Sequence, residues 1–272
     1  MIKVIFSDMD GTLLDENSNL PRDFESIIDE LKSRQVIFVP ASGRQYKSLR
    51  NLFEKHVDEF IFISDNGTMV TRNDSEIYSS VMNISEVETI LKTAVELPGI
   101  FPVFCGKKNG YYLSERESPA YLAELDKYYP SHESVASFDE VIPKFNDEPI
   151  KIAFYDSTGH AKENIFEPLS KFETDSTHIV LSSDYWVDIA NRGVSKGSAV
   201  HAIQKQLGIT PEECAAFGDF MNDYEMLESV YYSFSMANAY SEIKKLARFE
   251  TASNQDSGVI VGIRKLISEG LI

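Results

Sequence analysis

Two aspartates near the N-terminus follow a short apolar segment and precede a glycine. Residues 4–6 are continuously apolar, a pattern typical of a buried strand, and Asp8, Asp10 and Gly11 come soon after them. A carboxylate at the carboxyl end of a parallel strand lies where open α/β sheets bind ligands. An aspartate in that position can attack phosphorus and form an aspartyl-phosphate. The alternative is an Asp-x-Asp-Gly turn that only ends the strand, since Asp and Gly are common turn residues.

A second group, Ser42-Gly43-Arg44, follows the apolar segment 36–39. A serine hydroxyl and the backbone amides of a turn can hold a phosphate oxygen. The alternative is an ordinary Ser-Gly turn. Arg44 is open to two interpretations, which are a contact with the leaving group of a substrate and an ion pair with a surface acid.

A third group places Lys196 at the start of a helix predicted over residues 195–207. A lysine there opposes the helix dipole, which is unfavourable for a purely structural residue. The position is favourable if Lys196 neutralises a phosphate and a carboxylate. Taken alone, the residue also fits a solvated surface lysine.

The fourth group, residues 218–223, follows an apolar strand predicted over 215–217 and contains Asp219, Asn222 and Asp223. Clustered carboxylates without His or Cys suit a hard cation such as Mg2+. Asp and Asn also cap helices well. Two acids and an amide exceed what a cap needs, and the pattern therefore favours a metal site.

The elements that must position these groups alternate strand and helix in the first and last parts of the chain. Strands are predicted over 3–7, 36–39 and 61–63, and helices over 22–34 and 46–55. This alternation predicts right-handed crossovers and a parallel sheet. The middle of the chain has aromatic strands with longer helices and predicts an inserted α+β domain, in which residues 119–128 and 161–172 are helix candidates and 131–148 include a loop.

Composition limits the classes of partner. The chain has 272 residues, 43% hydrophobic content and a net charge of -17, which argues against a nucleic-acid or anionic-membrane partner. No long apolar segment resembles a membrane span, and the N-terminus leads directly into the first strand without a signal peptide. The two cysteines, Cys105 and Cys214, belong to no ligand pattern. We therefore expect a cytoplasmic protein.

Taken together and in this order, the four groups resemble the motifs of the haloacid dehalogenase (HAD) superfamily of phosphohydrolases. The motifs are Asp-x-Asp-Gly-Thr at residues 8–12, Ser42, Lys196 and Gly-Asp-x-x-Asn-Asp at 218–223. The resemblance covers nearly the whole chain. Three further runs are similar to the Cof-type branch, subclass IIB, at residues 65–67, 193–197 and 236–239.

The resemblance implies a domain organisation. It implies an α/β, Rossmann-like HAD core with a parallel sheet at residues 1–83 and 189–272. A C2-type α+β cap at residues 84–188 is then expected to close over the core site and to determine substrate specificity.

The resemblance also assigns the acidic residues. It implies that Asp8 is the nucleophile and that Asp10 is first the general acid and then the base that activates water. The carboxylates of Asp8 and Asp219 and the backbone carbonyl of Asp10 are implied to hold Mg2+. Asp223 is implied to support Lys196 or the metal.

The remaining implied roles concern phosphate and substrate. Ser42 and Lys196 are expected to hold phosphate oxygens, with the backbone amides of Met9 and Gly43 as helpers. Asn222 is expected to orient the phosphate or the metal shell. Two residues near the cap junction stay open between a substrate contact and a structural role, namely Asn191 and Arg192, with the structural role favoured for Arg192.

The function implied is a Mg2+-dependent phosphatase for a small phosphorylated metabolite. A sugar phosphate is the favoured class, with nucleotides, pyridoxal phosphate and flavin mononucleotide as alternatives. A phosphotransferase or phosphomutase of the same fold is the enzyme alternative. A non-catalytic regulatory protein that binds a phosphometabolite is the third hypothesis, and the intact acidic set with Lys196 argues against it.

Overall fold

A computed structural model describes all 272 residues of the chain. The chain divides into two compact units. The core unit comprises residues 1–78 and 195–272, and the inserted unit comprises residues 79–194. The sequence analysis places the same two transitions at residues 83/84 and 188/189.

The strands, numbered along the whole chain, are β1 Val4–Asp8, β2 Ile37–Ala41, β3 Ile61–Ser64, β4 Met69–Arg72, β5 Ser75–Ser79, β6 Ile100–Gly106, β7 Gly110–Leu113, β8 His132–Val135, β9 Pro149–Asp156, β10 Thr177–Leu181, β11 Trp186–Asn191, β12 Cys214–Gly218, β13 Tyr232–Ser235 and β14 Phe249–Glu250. The helices are α1 Phe24–Ser33, α2 Tyr46–Leu52, α3 Ile84–Ala94, α4 Pro119–Tyr128, α5 Val141–Phe145, α6 Glu167–Leu169, α7 Lys196–Leu207, α8 Tyr224–Glu228, α9 Ser241–Leu246 and α10 Gly258–Ser268. None of these helices is long and apolar enough to span a membrane.

The core unit is built on one sheet with the strand order β14-β13-β12-β1-β2-β3-β4-β5. The pairs from β14 to β3 are parallel, and β3 pairs with β4 antiparallel. Apolar side chains of α1 and α10 pack on one face of the sheet, and those of α7, α8 and α9 pack on the other. Because both faces are covered, the central strands are buried along their whole length and carry nearly continuous apolar runs.

The neighbouring strands β12, β1 and β2 bring three of the sequence groups to one edge of the sheet. Asp8 is the last residue of β1 and pairs with Ala41 at the end of β2. On the other side of β1, Ser7 pairs with Phe217, one residue before the end of β12. The groups at residues 8–12, 42–44 and 218–223 therefore leave the sheet side by side.

The inserted unit contains a second sheet with the order β10-β11-β9-β6-β7-β8. All its pairs are antiparallel except β7 with β8, which is parallel. Helix α3 and residues 161–169 pack on one face, and α4 packs on the other over an aromatic cluster. The fold is thus α/β in the core unit and α+β in the inserted unit, which confirms the expected fold class.

Two local predictions in the inserted unit differ from the structure. The segment 131–148 includes the expected loop at residues 146–148, but it also contains the polar edge strand β8 and the short helix α5, which were not predicted. The helix expected over 161–172 is divided into a π-helical turn, α6 and a 3-10 turn. Pro168 lies within that segment and has no backbone N–H to donate, which interrupts a regular helix.

Candidate active site

Lys196 is fully buried at the N-terminus of α7. Its Nζ atom donates to Asp8 Oδ1 at 2.5 Å and to Asp223 Oδ1 at 2.7 Å. A capping box between Ser195 and Ser198 begins the helix one residue earlier and so fixes the direction from which Lys196 enters the site. The solvated-surface interpretation of Lys196 is therefore wrong, because two carboxylates compensate both its burial and its unfavourable position on the helix.

The charged groups in this cluster shift one another's pKa values. Burial raises the pKa of Asp8, and the nearby carboxylates of Asp223 and Asp219 raise it further against the opposing effect of Lys196. Burial alone would lower the pKa of Lys196, but Asp223 and Asp8 raise it above its ordinary value. Lys196 is therefore charged, and more negative charge surrounds it than it can neutralise.

Asp219 lies beside the turn that follows β1. Its Oδ1 accepts from Thr12 Oγ1 at 2.7 Å, and burial raises its pKa to about 6. Gly11 has a φ of +82°, and a Cβ on it would lie 2.5 Å from Asp219 Oδ2. A glycine is therefore required there both by the left-handed backbone and by the close approach of the carboxylate.

Both carboxylate oxygens of Asp223 accept hydrogen bonds. One carboxylate oxygen accepts from Lys196, and Oδ2 accepts from the backbone N–H groups of Asp219 and Phe220 at 3.0 and 3.1 Å. Residues 221–223 form a 3-10 turn and α8 begins only at Tyr224. Asp219 and Asp223 therefore converge through these side-chain-to-backbone bonds, not through a shared face of a regular helix.

The three carboxylates form a candidate cation site. One oxygen from each of Asp8, Asp219 and Asp223 lies within 4.8 Å of the others. Three carboxylates and the ammonium of Lys196 leave a formal charge of -2 when all are ionised, which matches a divalent cation. The donors are all oxygen atoms, the type that Mg2+ prefers. The residues present therefore fit Mg2+. Lys196 donates to both Asp8 and Asp223, and Asp223 also accepts from two backbone N–H groups.

Asp10 does not join this cluster through its side chain. Its carboxylate is half-exposed and is held by Arg44 in a bidentate pair, with Nε to Oδ2 at 2.9 Å and Nη2 to Oδ1 at 2.5 Å. Of the two interpretations of Arg44, the structure contains the ion pair, and the acid it pairs with is itself a predicted site residue.

The residues predicted to bind phosphate lie at the same edge of the sheet. Ser42 is buried, and its Oγ accepts from the backbone N–H of Arg44 at 3.1 Å. The side chain of Met9 packs in the core between the sheet and α1, which leaves only its backbone for the site. Gly43 follows Ser42 directly, so that its backbone N–H lies in the same turn.

Asn222 contacts a residue that the sequence analysis did not assign to the site. Its Nδ2 donates to Asn66 Oδ1 at 3.1 Å. Asn66 belongs to the run at residues 65–67, which the sequence analysis interpreted only as a mark of the Cof-type branch. The resemblance of this Asp-Asn-Gly run to that branch was the available signal.

Asn191 and Arg192 lie in the inserted unit and make structural contacts there. Asn191 Nδ2 donates to Ser80 Oγ and to the Val81 carbonyl oxygen, both at 2.9 Å. Arg192 donates to the carbonyl oxygens of Thr174 and Thr177 and pairs with Glu173. The Arg192 contacts agree with the structural role favoured for it.

Comparison with known proteins identifies the family. A model of haloacid dehalogenase-like hydrolases matches residues 5–263. The chain belongs to the haloacid dehalogenase-like hydrolases. This HAD-like hydrolase is 29% identical over 268 residues to 5-amino-6-(5-phospho-D-ribitylamino)uracil phosphatase YbjI of Escherichia coli (strain K12), and the alignment covers 98% of this chain and 96% of the relative.

Solved structures show the same fold. The crystal structure of SMU.1108c from Streptococcus mutans UA159 superimposes with a TM-score of 0.86 at 26% identity, covering 98% of this chain and 100% of that one. The subclass IIB sugar phosphatase BT4131 gives a TM-score of 0.79 at 22% identity, with 99% and 100% covered, and shows the fold alone. The resemblance drawn from the motifs is confirmed, and the HAD-like hydrolase is a phosphatase.

Proposed function

We propose that this HAD-like phosphatase is Mg2+-dependent and hydrolyses a small phosphorylated metabolite through an aspartyl-phosphate on Asp8. The observation that carries the proposal is the buried pair of Asp8 and Lys196 beside Asp219. A nucleophilic carboxylate needs an ionised oxygen, a cation to accept the incoming phosphate and an environment that excludes bulk water. The cluster offers burial and the ammonium of Lys196, which is the cation and also opposes the raised pKa of Asp8.

In the first step, a carboxylate oxygen of Asp8 attacks phosphorus and the bond from phosphorus to the leaving oxygen breaks. Lys196 and Ser42 hold oxygens of the transferred group, with help from the backbone N–H groups of Met9 and Gly43. Asp10 in its protonated form gives a proton to the leaving oxygen, and it regains that proton from water in the second step. The products of this step are the free alcohol and phosphorylated Asp8.

In the second step, Asp10 takes a proton from water while the water oxygen bonds to phosphorus. The bond from phosphorus to Asp8 then breaks, which releases inorganic phosphate and restores the carboxylate. Each carboxylate oxygen can accept more than one hydrogen bond. Asp10 can therefore accept from water while Arg44 stays bound to it, and Arg44 fixes its orientation for this step.

Mg2+ would be held by the carboxylates of Asp8 and Asp219 and by the backbone carbonyl of Asp10. When bound, it supplies positive charge that screens the repulsion between Asp8 and the phosphate. Asp223 would act through Lys196, which it holds in place at 2.7 Å. Asn222 would orient the phosphate.

The substrate class that we propose is a phosphorylated sugar or sugar alcohol. The E. coli relative is named for a substrate with a 5-phospho-D-ribityl group, which is a phosphorylated sugar alcohol. The inserted unit, residues 79–194, is proposed as the cap that selects among such substrates.

Turnover of p-nitrophenyl phosphate with and without Mg2+ tests the chemistry. We expect activity with Mg2+, loss of activity in a chelator and full recovery when Mg2+ is restored. Full activity in the chelator, at a metal content confirmed to be negligible, would exclude the metal assignment. Asp219→Asn is the matched variant and should need far more Mg2+ than the wild type.

A panel of phosphorylated metabolites tests the substrate class. We expect the highest kcat/KM among sugar and sugar-alcohol phosphates, because discrimination between substrates is a ratio of these values. A preference for nucleotides, pyridoxal phosphate or flavin mononucleotide would refute the sugar assignment. Added sugar acceptors should leave the yield of inorganic phosphate unchanged, whereas a phosphotransferase would divert it.

A further inference from the structure

The turn between β3 and β4 has an unusual backbone. Asp65, Asn66 and Gly67 have φ values of +48°, +56° and +96°, so that three consecutive residues are left-handed. Only glycine adopts this region without cost, and the two residues before Gly67 carry side chains. Asp and Asn are the residue types that enter this region most readily after glycine.

The turn connects the loop after β2 with the start of α7. The N–H of Asp65 donates to the Arg44 carbonyl at 3.0 Å, and the N–H of Asn66 donates to the Ser42 carbonyl at 2.9 Å. On its other side, a Cβ on Gly67 would lie only 2.1 Å from the Ser195 carbonyl oxygen. The turn therefore lies between Ser42 and Lys196, which are both proposed to hold the phosphate.

The side chain of Asn66 lies between two of those residues. Its Oδ1 accepts from Asn222, and a Cβ on Gly43 would lie 3.1 Å from Asn66 Nδ2. The amide therefore lies directly over Gly43. Its Oδ1 is used by Asn222, whereas Nδ2 has no hydrogen-bond partner within the protein.

We propose that Asn66 is a further phosphate-binding residue and that its Nδ2 donates to an oxygen of the substrate phosphoryl group. The inference rests on the proposed phosphatase function. An amide N–H₂ group carries two donors, and a bond from it to an anionic oxygen is stronger than one between neutral partners. The left-handed turn holds this amide beside Gly43 and Asn222.

Asn66→Gly tests the proposal, with Asn73→Gly as the matched control. Asn73 is also left-handed, with a φ of +52°, but lies in the β4–β5 turn outside the site. Both substitutions remove an asparagine side chain at a position that glycine tolerates, and their effects on thermal stability should be similar. The probe is inorganic phosphate, whose inhibition constant against p-nitrophenyl phosphate is measured with Mg2+ present.

We expect Asn66→Gly to weaken phosphate inhibition and to lower kcat/KM by roughly 10- to 100-fold, as for the loss of one hydrogen bond to a charged group. Asn73→Gly should change neither value by more than about twofold. If the wild type is active and the two variants have equal phosphate inhibition constants and equal kcat/KM, the proposed role of Asn66 is refuted and the proposed function is not. A wild type that neither hydrolyses the ester nor is inhibited by phosphate would overturn the proposed function as well.

A double-mutant cycle with Asn222→Ala separates a direct contact from an indirect one. If Asn66 donates to phosphate itself, Asn66→Gly should weaken phosphate inhibition further in the Asn222→Ala background. If Asn66 only holds Asn222, the double variant should equal Asn222→Ala, and the proposed contact is refuted.

Discussion

Lys196 sets the charge balance of the active site. It is fully buried and lies within 2.7 Å of oxygens on both Asp8 and Asp223. Each of these carboxylates would be buried without a counter-charge if the ammonium were absent. The residue therefore has a structural role in the resting protein in addition to its proposed contact with phosphate.

Lys196→Met should destabilise the protein by about 3–5 kcal/mol, because removal of one partner leaves buried carboxylates uncompensated. Lys205→Met is the control, since Lys205 is exposed near the end of the same helix and should change stability by less than about 0.5 kcal/mol. Urea unfolding without metal measures both. Equal stability of the two variants would show that the buried pairs contribute nothing.

If Asp219 is the proposed Mg2+ ligand, its raised pKa predicts that metal binding depends on pH. Burial raises its pKa to about 6, so that the folded protein binds this proton more tightly than the unfolded chain. The stability contributed by the protonated form is present at low pH and is lost as the pH rises towards 6. Above that value the ionised carboxylate is available to Mg2+, which requires a deprotonated ligand.

The increase in melting temperature produced by Mg2+ should therefore be larger at pH 7.5 than at pH 5. Thermal unfolding at both pH values, with and without the ion, measures the difference. Asp219→Asn cannot titrate at this position and should show a small Mg2+ effect at either pH. An equal Mg2+ effect in the wild type at pH 5 and pH 7.5 would contradict the proposed ligand.

The residue types and their order along the chain were enough to predict that acidic residues and Lys196 belong to one site. Asp8, Lys196 and Asp219 follow or precede regular elements, and parallel strands bring such positions together. The burial of Lys196 could not be predicted locally, because it depends on Asp8, which lies 188 positions away. Asn66 was missed because its backbone conformation, which aims its amide at Gly43, is not encoded by a periodic pattern.

The turn after β1 lies against the Asp219 carboxylate, which is one of the proposed metal ligands. The close approach of Asp219 to Gly11 leaves no space for a side chain at that residue. The sequence predicted only that a turn could form at Gly11. Its contact with residues after β12 depends on the parallel pairing of β1 with β12.

Gly11→Ala should lower the affinity for Mg2+ at least tenfold, because a methyl group would displace the Asp219 carboxylate. Gly208→Ala is the control, since Gly208 is also left-handed, with a φ of +64°, but has no atom within 4 Å of its Cβ position. Both variants should lose about 1 kcal/mol of stability from backbone strain. Calorimetric titration with Mg2+ separates them, and equal affinities would contradict the close approach of Asp219 to Gly11.

Element boundaries were predictable where periodicity and capping agree. Helix α4 was predicted at residues 119–128, where Ser118 caps it and Pro119 begins it. The irregular segment 161–172 was predicted as one helix because its apolar residues keep a helical spacing, although Pro168 interrupts the hydrogen bonds. Strand β8 was missed because its residues His132, Glu133 and Ser134 are polar and its pairing with β7 is long-range.

At the scale of the whole molecule, the chain forms two units with separate hydrophobic cores. The buried apolar clusters of the inserted unit involve no residue of the core unit. The inserted unit is a continuous segment within the size range of independently folding domains. The sequence analysis expected the inserted domain at residues 84–188, but it could not predict the strand order of the sheet in that unit.

A fragment of residues 79–194 should therefore fold alone, unfold cooperatively and show no phosphatase activity. Circular dichroism and thermal unfolding of the fragment measure this, with the buried Phe154→Asp variant as an unfolded control. A wild-type fragment as disordered as this control would show that the two units fold only together.

The central claim is that Asp8 carries the phosphoryl group during turnover. Rapid acid quench during hydrolysis of p-nitrophenyl phosphate, followed by peptide mapping by mass spectrometry, tests it most directly. The account predicts phosphorylation of the peptide at Asp8 in the wild type, and neither phosphorylation nor turnover in a folded Asp8→Asn variant. Phosphorylation at another residue, or wild-type turnover by Asp8→Asn, would contradict it.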